Sequence, residues 1–240
     1  MRRLLLALPF LLFGQSAAAQ PAPLIAGAAD LQFALEEIAA RFRADTGHQL
    51  RLSLGSSGNI TRQIEQGSPV EVFLSADEAF VFRLHQGGHT RDRGELYAIG
   101  RIVLFTPPGS PIRTEAGLDG LREALEAGRI SRFAIAAPEH APYGRAAMQA
   151  LQRAGLWEAI RPRLVFGENV AQAAQFALAG GSQGGIVAHS LVLAPALRGR
   201  GRHLLLPDSL HEPLRQRMVL TRRAGPVAER FYAYMQEPAA

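Results

Sequence analysis

Apolar residues recur along the chain in two alternating rhythms. A short apolar run at residues 24–28 is followed by Leu31, Ala34, Leu35, Ile38 and Phe42, a spacing that keeps them on one helical face. Asp30 stands where an N-cap belongs, and Gly47 stops the helix. Residues 49–54 alternate like a strand, with leucines at 50, 52 and 54. The turn Gly55-Ser56-Ser57-Gly58-Asn59 leads into a helix over 60–66, closed by Gly67; a strand over 70–74 and a helix over 76–86 follow. After a break, the rhythm resumes with a strand at 101–106, ended by Pro107-Pro108-Gly109. Next come a helix at 118–127, a strand at 133–137, a loop at 138–143, and a helix at 144–154. A strand at 164–166, a helix at 170–179, a strand at 185–188 and a basic glycine-rich loop at 198–202 precede the last strand, 214–221, and helix, 226–235. Repeated strand–turn–helix units predict an α/β fold with parallel sheets, and two such runs, divided near Arg101, predict two lobes.

The first residues follow another pattern. Met1-Arg2-Arg3 is a basic start, residues 4–13 a short apolar run, and Ser16-Ala17-Ala18-Ala19 a small-residue stretch before Gln20-Pro21. This is the form of a secretory signal cut after Ala19, so the mature protein is expected in the periplasm. The apolar run is too short to cross a bilayer.

Composition narrows the chemistry. The 240 residues contain no cysteine, which excludes a thiolate metal site, an iron–sulfur cluster, a disulfide framework and a cysteine nucleophile. The net charge is +5, and all 26 basic residues are arginine; this charge reports arginine usage and not a nucleic-acid surface. No Gly-Lys phosphate loop or Gly-x-Gly-x-x-Gly turn is present. His85 and His89 are four apart, but Gly87-Gly88 lies between them, so they do not read as a metal pair. What remains are strand-to-helix turns with the composition of anion sites: Ala28-Ala29-Asp30, Gly55 to Asn59, and Glu168-Asn169-Val170. A helix N-terminus offers unpaired N–H donors and partial positive charge.

Taken in order, these segments resemble the periplasmic molybdate-binding proteins of ABC importers. The resemblance rests on Ala28-Ala29-Asp30-Leu31, on Gly55 to Asn59 running into Arg62-Gln63-Ile64-Glu65-Gln66-Gly67-Ser68-Pro69, and on Val72-Phe73-Leu74-Ser75-Ala76-Asp77-Glu78. It continues through Pro138-Glu139-His140-Ala141-Pro142-Tyr143-Gly144-Arg145, Gly155-Leu156-Trp157, Glu168-Asn169-Val170 and Gly185-Ile186-Val187. The resemblance implies a two-lobed clamp of the type II periplasmic-binding-protein fold with the ligand cleft between the lobes. Its implied ligand residues are Asp30, Leu31, Ser57, Tyr143 and Val170, acting through backbone N–H groups and hydroxyls, with no cationic metal site and no cofactor. The Ala-Pro-Tyr-Gly form at 141–144 resembles a subgroup of the family. Asp30 puts a carboxylate where many members have a serine, and Ala188 replaces a tyrosine that supplies a hydroxyl to the anion. Tyr143 is expected to replace that hydroxyl.

The reading is therefore a monomeric periplasmic solute-binding protein for molybdate, with tungstate as a second ligand, delivering the ion to an ABC permease and its ATPase. It is read as neither an enzyme nor a nucleic-acid binder. Lobe one is expected at 20–101 plus 197–240 and lobe two at 102–196, with hinges at Gly100-Arg101 and 194–197. Rivals are a binding protein for another tetrahedral oxyanion, a periplasmic hydrolase using Ser57 as nucleophile, and an anion-sensing subunit. A carboxylate facing a dianion is repelled by about 4 kcal/mol per unit-charge pair at 4 Å, even at an effective dielectric near 20. Asp30 is accordingly expected to turn away and cap the first helix through the N–H groups near Gln32 or Phe33.

Overall fold

Strands that are apolar on both faces must be covered on both sides, and in this chain they become the centres of two separate sheets. The computed structural model describes residues 21–179 and 181–237. The leader expected at 1–19 lies outside the described residues. The first run comprises β1 (Leu24–Ala28), a 3-10 turn (Ala29–Leu31), α1 (Gln32–Thr46), β2 (Arg51–Gly55), α2 (Ser57–Glu65), β3 (Val70–Ser75), α3 (Glu78–Gln86) and β4 (Glu95–Gly100). The second comprises β5 (Ile102–Thr106), α4 (Gly117–Glu126), β6 (Phe133–Ala136), α5 (Pro142–Arg153), α6 (Trp157–Ile160), β7 (Leu164–Gly167), α7 (Val170–Leu178), β8 (Gly185–Ala188), α8 (His189–Leu193) and β9 (Arg202–Leu205). The chain then returns through β10 (Leu214–Leu220) and α9 (Pro226–Tyr234).

Sheet one runs β2-β1-β3-β10-β4 and sheet two β7-β6-β8-β5-β9. In sheet one, β1 lies parallel to β2 and β3, while β10 is antiparallel to β3 and β4. Sheet two repeats the scheme: β6 is parallel to β7 and β8, and β5 is antiparallel to β8 and β9. The alternation along β3 divides the first core. Val72 and Leu74 face Leu35, Phe42 and Phe231 beneath α1 and α9, while Phe73 faces Ile60, Val81 and Leu84 beneath α2 and α3. In the second sheet β5 and β6 are buried at every position.

Several boundaries differ from the sequence reading. β4 occupies part of the break after α3; its Leu96 and Ile99 are exposed, so it lacks the clean alternation of a half-buried strand. The residues expected to begin the return to lobe one at 197 stay with sheet two, because β9 pairs with β5 from Val103–Leu205 to Thr106–Arg202. β9 is exposed along its length and overlaps the basic loop expected at 198–202 only at Arg202, so no burial pattern marked it as a strand. α5 begins at Pro142, with Pro in the first turn, where its missing N–H costs nothing. Tyr143 is therefore helical and not part of a loop.

Candidate functional site

Parallel α/β sheets place ligands outside the carboxyl ends of their strands, where connecting turns meet helix starts. Here the two sheets turn those ends toward each other. Ala29 and Asp30 follow β1, Ser56 and Ser57 follow β2, and Ala76 follows β3. Across from them, Ala141, Pro142 and Tyr143 follow β6, and Val170 opens α7 after β7. All of these residues line one small cavity.

The polar groups on its wall are few. Ser57 is fully buried, and its Oγ accepts the Ala76 N–H at 3.0 Å. That leaves the Ser57 hydroxyl proton free to donate. Ser56 is the N-cap residue of α2, yet its side chain makes no capping bond; its buried Oγ has no hydrogen-bond partner. The N–H groups of Ser57, Tyr143 and Val170 belong to the first turns of their helices, so none has an acceptor within its own helix. At α7 the Asn169 side chain caps the N–H of Gln172 at 3.0 Å, further from the cavity than Val170.

Asp30 departs most from expectation. It caps no helix: the 3-10 turn and α1 show no side-chain cap, and the N-cap of the turn is Ala28. Its Oδ2 instead accepts the Tyr143 hydroxyl at 3.0 Å and the Gln216 Nε2 at 2.7 Å. Gln216 Nε2 also donates to Tyr143 Oη at 2.9 Å, closing a buried triangle. Asp30 Oδ1 is buried with no partner. The Tyr143 hydroxyl proton is thus engaged by Asp30. Burial pushes the Asp30 carboxyl above its ordinary range, against the pull of the Gln216 and Tyr143 donors. Burial, followed by the neighbouring Asp30 charge, also holds the Tyr143 phenol well above its usual value.

Contacts across the cleft hold the two halves together. The Gly58 N–H donates to the His140 carbonyl at 2.9 Å, and a Cβ on Gly58 would stand only 2.7 Å from that oxygen. Asn59 Nδ2 donates to Glu168 Oε1 at 3.0 Å, and Ser190 Oγ to the Asp30 main-chain oxygen at 2.8 Å. Arg145 on α5 pairs with Asp77 at the start of α3.

Of the residues singled out from sequence, Asp30, Ser57, Tyr143 and Val170 come together on the cavity wall. Leu31 does not; its side chain packs against the core beneath α1. Ala188 is fully buried at the end of β8 and away from the lining. Sequence reasoning placed Ser56 in an anion-site turn without naming it as a ligand, and missed Gln216. Gln216 did carry a signal: it occupies a buried position between inward-facing Leu214 and Met218, where an amide needs partners.

Two α/β lobes closing helix N-termini over a small cavity define the class of two-lobed solute-binding proteins. The family model of bacterial extracellular solute-binding proteins matches residues 23–240, and the chain belongs to that family. It is 35% identical over 220 residues to the molybdate-binding protein ModA of Azotobacter vinelandii, covering 90% of this chain and 84% of that one. It is 34% identical over 208 residues to ModA of Rhodobacter capsulatus, covering 85% and 79%. Among solved structures, the periplasmic molybdate-binding protein of Azotobacter vinelandii superposes with a TM-score of 0.82 at 31% identity, covering 91% of this chain and 94% of that one. This likeness makes the fold the type II periplasmic-binding-protein fold.

Proposed function

We propose that this protein captures molybdate, and tungstate as a second ligand, in the cavity between its lobes and delivers it to an ABC permease with its ATPase. The observation that carries the reading is the convergence of five turns from two sheets on one buried cavity lined without a cation. Its support from relatives is the likeness to proteins named as molybdate-binding. The ion would be held by the N–H groups of Asp30, Ser57, Tyr143 and Val170 and by the Ser57 hydroxyl, with Leu31 left out because it does not line the cavity. Removing an ion from water costs several kcal/mol, and fixed charge-assisted donors offset that cost once the lobes close. Sulfate has the same charge but a smaller radius, so a rigid cage leaves some donors unpaired around it.

The remaining parts of the reading follow from this one. The protein works as a monomer in the periplasm, after a leader is removed behind Ala19. Lobe one comprises residues up to Gly100 together with the chain after β9, and lobe two the residues between. No step of catalysis is assigned: a nucleophilic Ser57 needs a base, and the partner of its oxygen is an amide N–H, which takes no proton. Asp30 favours one second reading within the same class, a different tetrahedral oxyanion. Calorimetric titration with molybdate, tungstate, sulfate and phosphate decides between them. Tight binding of molybdate alone or with tungstate supports the first; tight binding of phosphate or sulfate and not molybdate overturns it.

A further inference from the structure

A buried carboxylate needs donors for both oxygens, and Asp30 has them for one. Oδ2 takes both, from Tyr143 and Gln216, while Oδ1 is sealed in the cavity wall with none. The groups around Asp30 supply no counter-charge. Tyr143 faces it from α5 and Tyr97 from β4, the latter donating its hydroxyl to the Ser75 carbonyl at 3.3 Å. Gln216 on β10 is neutral, and its flanking Arg215 and Arg217 both turn to Glu78, at 2.6 and 3.0 Å. From α8, Ser190 reaches only the main-chain oxygen, and the His189 ring lies against His203 at 5.6 Å. From β2 and α7, Gly55 and Val170 line the cavity beside it. Among the described residues Asp30 forms no ion pair.

We infer that Asp30 is a proton-coupled donor in the ligand cage: closure over a dianion fixes a proton on Oδ1, and the resulting O–H donates into the cavity. The two donors on Oδ2 leave that oxygen as the acceptor, so Oδ1 is where the proton goes. The neutral carboxyl then offers what an amide or a hydroxyl would, and the repulsion between two anions is removed. In the open clamp, where Tyr143 moves away with its lobe, Asp30 is solvated and ionised at neutral pH. Each captured dianion therefore takes up close to one proton, and Kd rises about tenfold for each pH unit above the open-state pKa. This inference rests on the oxyanion reading above.

The test is calorimetric titration of the mature protein with molybdate at about pH 7–8.5, in two non-oxyanion buffers of very different ionisation enthalpy. Wild type is expected to show buffer-dependent heat equal to nearly one proton taken up, and a Kd that climbs with pH. Asp30→Asn keeps the acceptor for Tyr143 and Gln216 and donates an N–H without titrating. It is expected to take up no proton, to bind with a flat pH profile, and to bind more tightly than wild type at pH 8. An infrared difference spectrum of wild type should gain the carbonyl stretch of a protonated carboxylic acid on binding, and this readout does not need the variant. Tight wild-type binding with no proton uptake and no such band overturns the inference and leaves the molybdate reading standing. Absence of molybdate binding in both proteins overturns that reading, and this inference with it.

Discussion

Tyr143 and Asp30 belong to opposite lobes, and the hydroxyl of one donates to the carboxyl of the other at 3.0 Å inside the closed molecule. The bond spans the two lobes, so parting them would break it. Gln216 completes it from behind, giving its two amide hydrogens to the two partners. Removing the phenol by Tyr143→Phe leaves buried groups with a partner missing, a loss of about 1–3 kcal/mol. The expected result is a Kd for molybdate weakened roughly 5- to 150-fold, with each lobe still folded. An unchanged Kd would show that the triangle contributes nothing to closure.

Ser56 and Ser57 should separate cleanly. Ser57→Ala removes the acceptor for the Ala76 N–H, so it lowers both the melting temperature of the free protein and anion affinity. Ser56→Ala removes a buried hydroxyl that has no partner, so the free protein should be no less stable. For Ser57, loss of a hydrogen bond to a charged ligand corresponds to about 1.5–3 kcal/mol, roughly 10- to 150-fold in Kd. Thermal melts and titrations on the same samples check both. Equal melting losses in the two variants would contradict the assignment.

Gly58 tests closure itself. Its added Cβ would meet the His140 carbonyl at 2.7 Å across the cleft while sitting inside an otherwise regular helix. Gly58→Ala is expected to preserve the melting temperature within a few degrees but weaken molybdate by at least about tenfold, since the closed form becomes scarcer. Small-angle scattering with saturating ligand should show less compaction than wild type. Full compaction at wild-type affinity would mean that the helix tips yield freely.

Asp30 also sets a pH dependence in the closed, molybdate-saturated protein. Burial raises its folded pKa above the ordinary value of 3.8, so folding favours the neutral acid. Stability from this group is complete below the unfolded pKa and is lost as pH rises through the folded one. Melting temperatures of wild type and Asp30→Asn with saturating molybdate, compared from about pH 4 to 8, should diverge as pH rises, with wild type falling behind. Parallel curves would mean that closure leaves Asp30 solvated.

Ligand discrimination has its own readout. At a hundredfold excess over Kd, binding adds about 2.7 kcal/mol, or roughly 5–11 °C in melting temperature for a chain of this size. Molybdate and tungstate should reach that shift and sulfate should not. Matching shifts from sulfate would remove cavity size as the selecting feature.

The strand–turn–helix order, and with it both sheets, could be read from the apolar runs, because central strands carry their burial in their own composition. Two of the four edge strands could not. β4 and β9 are held by pairing to β10 and β5, and their side chains are largely exposed, so nothing in their own pattern marks them. The site was legible where chemistry is local, as in the turns at Ser57 and Val170. It was misread at Asp30, where local helix-capping logic lost to partners 113 and 186 residues away.

The chain has 26 arginines, yet no guanidinium lines the cavity. An ion clamped by an arginine must break an ion pair before it can leave, however wide the exit. In a cage of neutral donors, residence time is set by how often the lobes part. Release then becomes a mechanical event, open to control by any surface that pulls the lobes asunder. The nearest levers lie on the outside of the cleft, at Arg145–Asp77 and Asn59–Glu168, where a docking membrane complex could pry first.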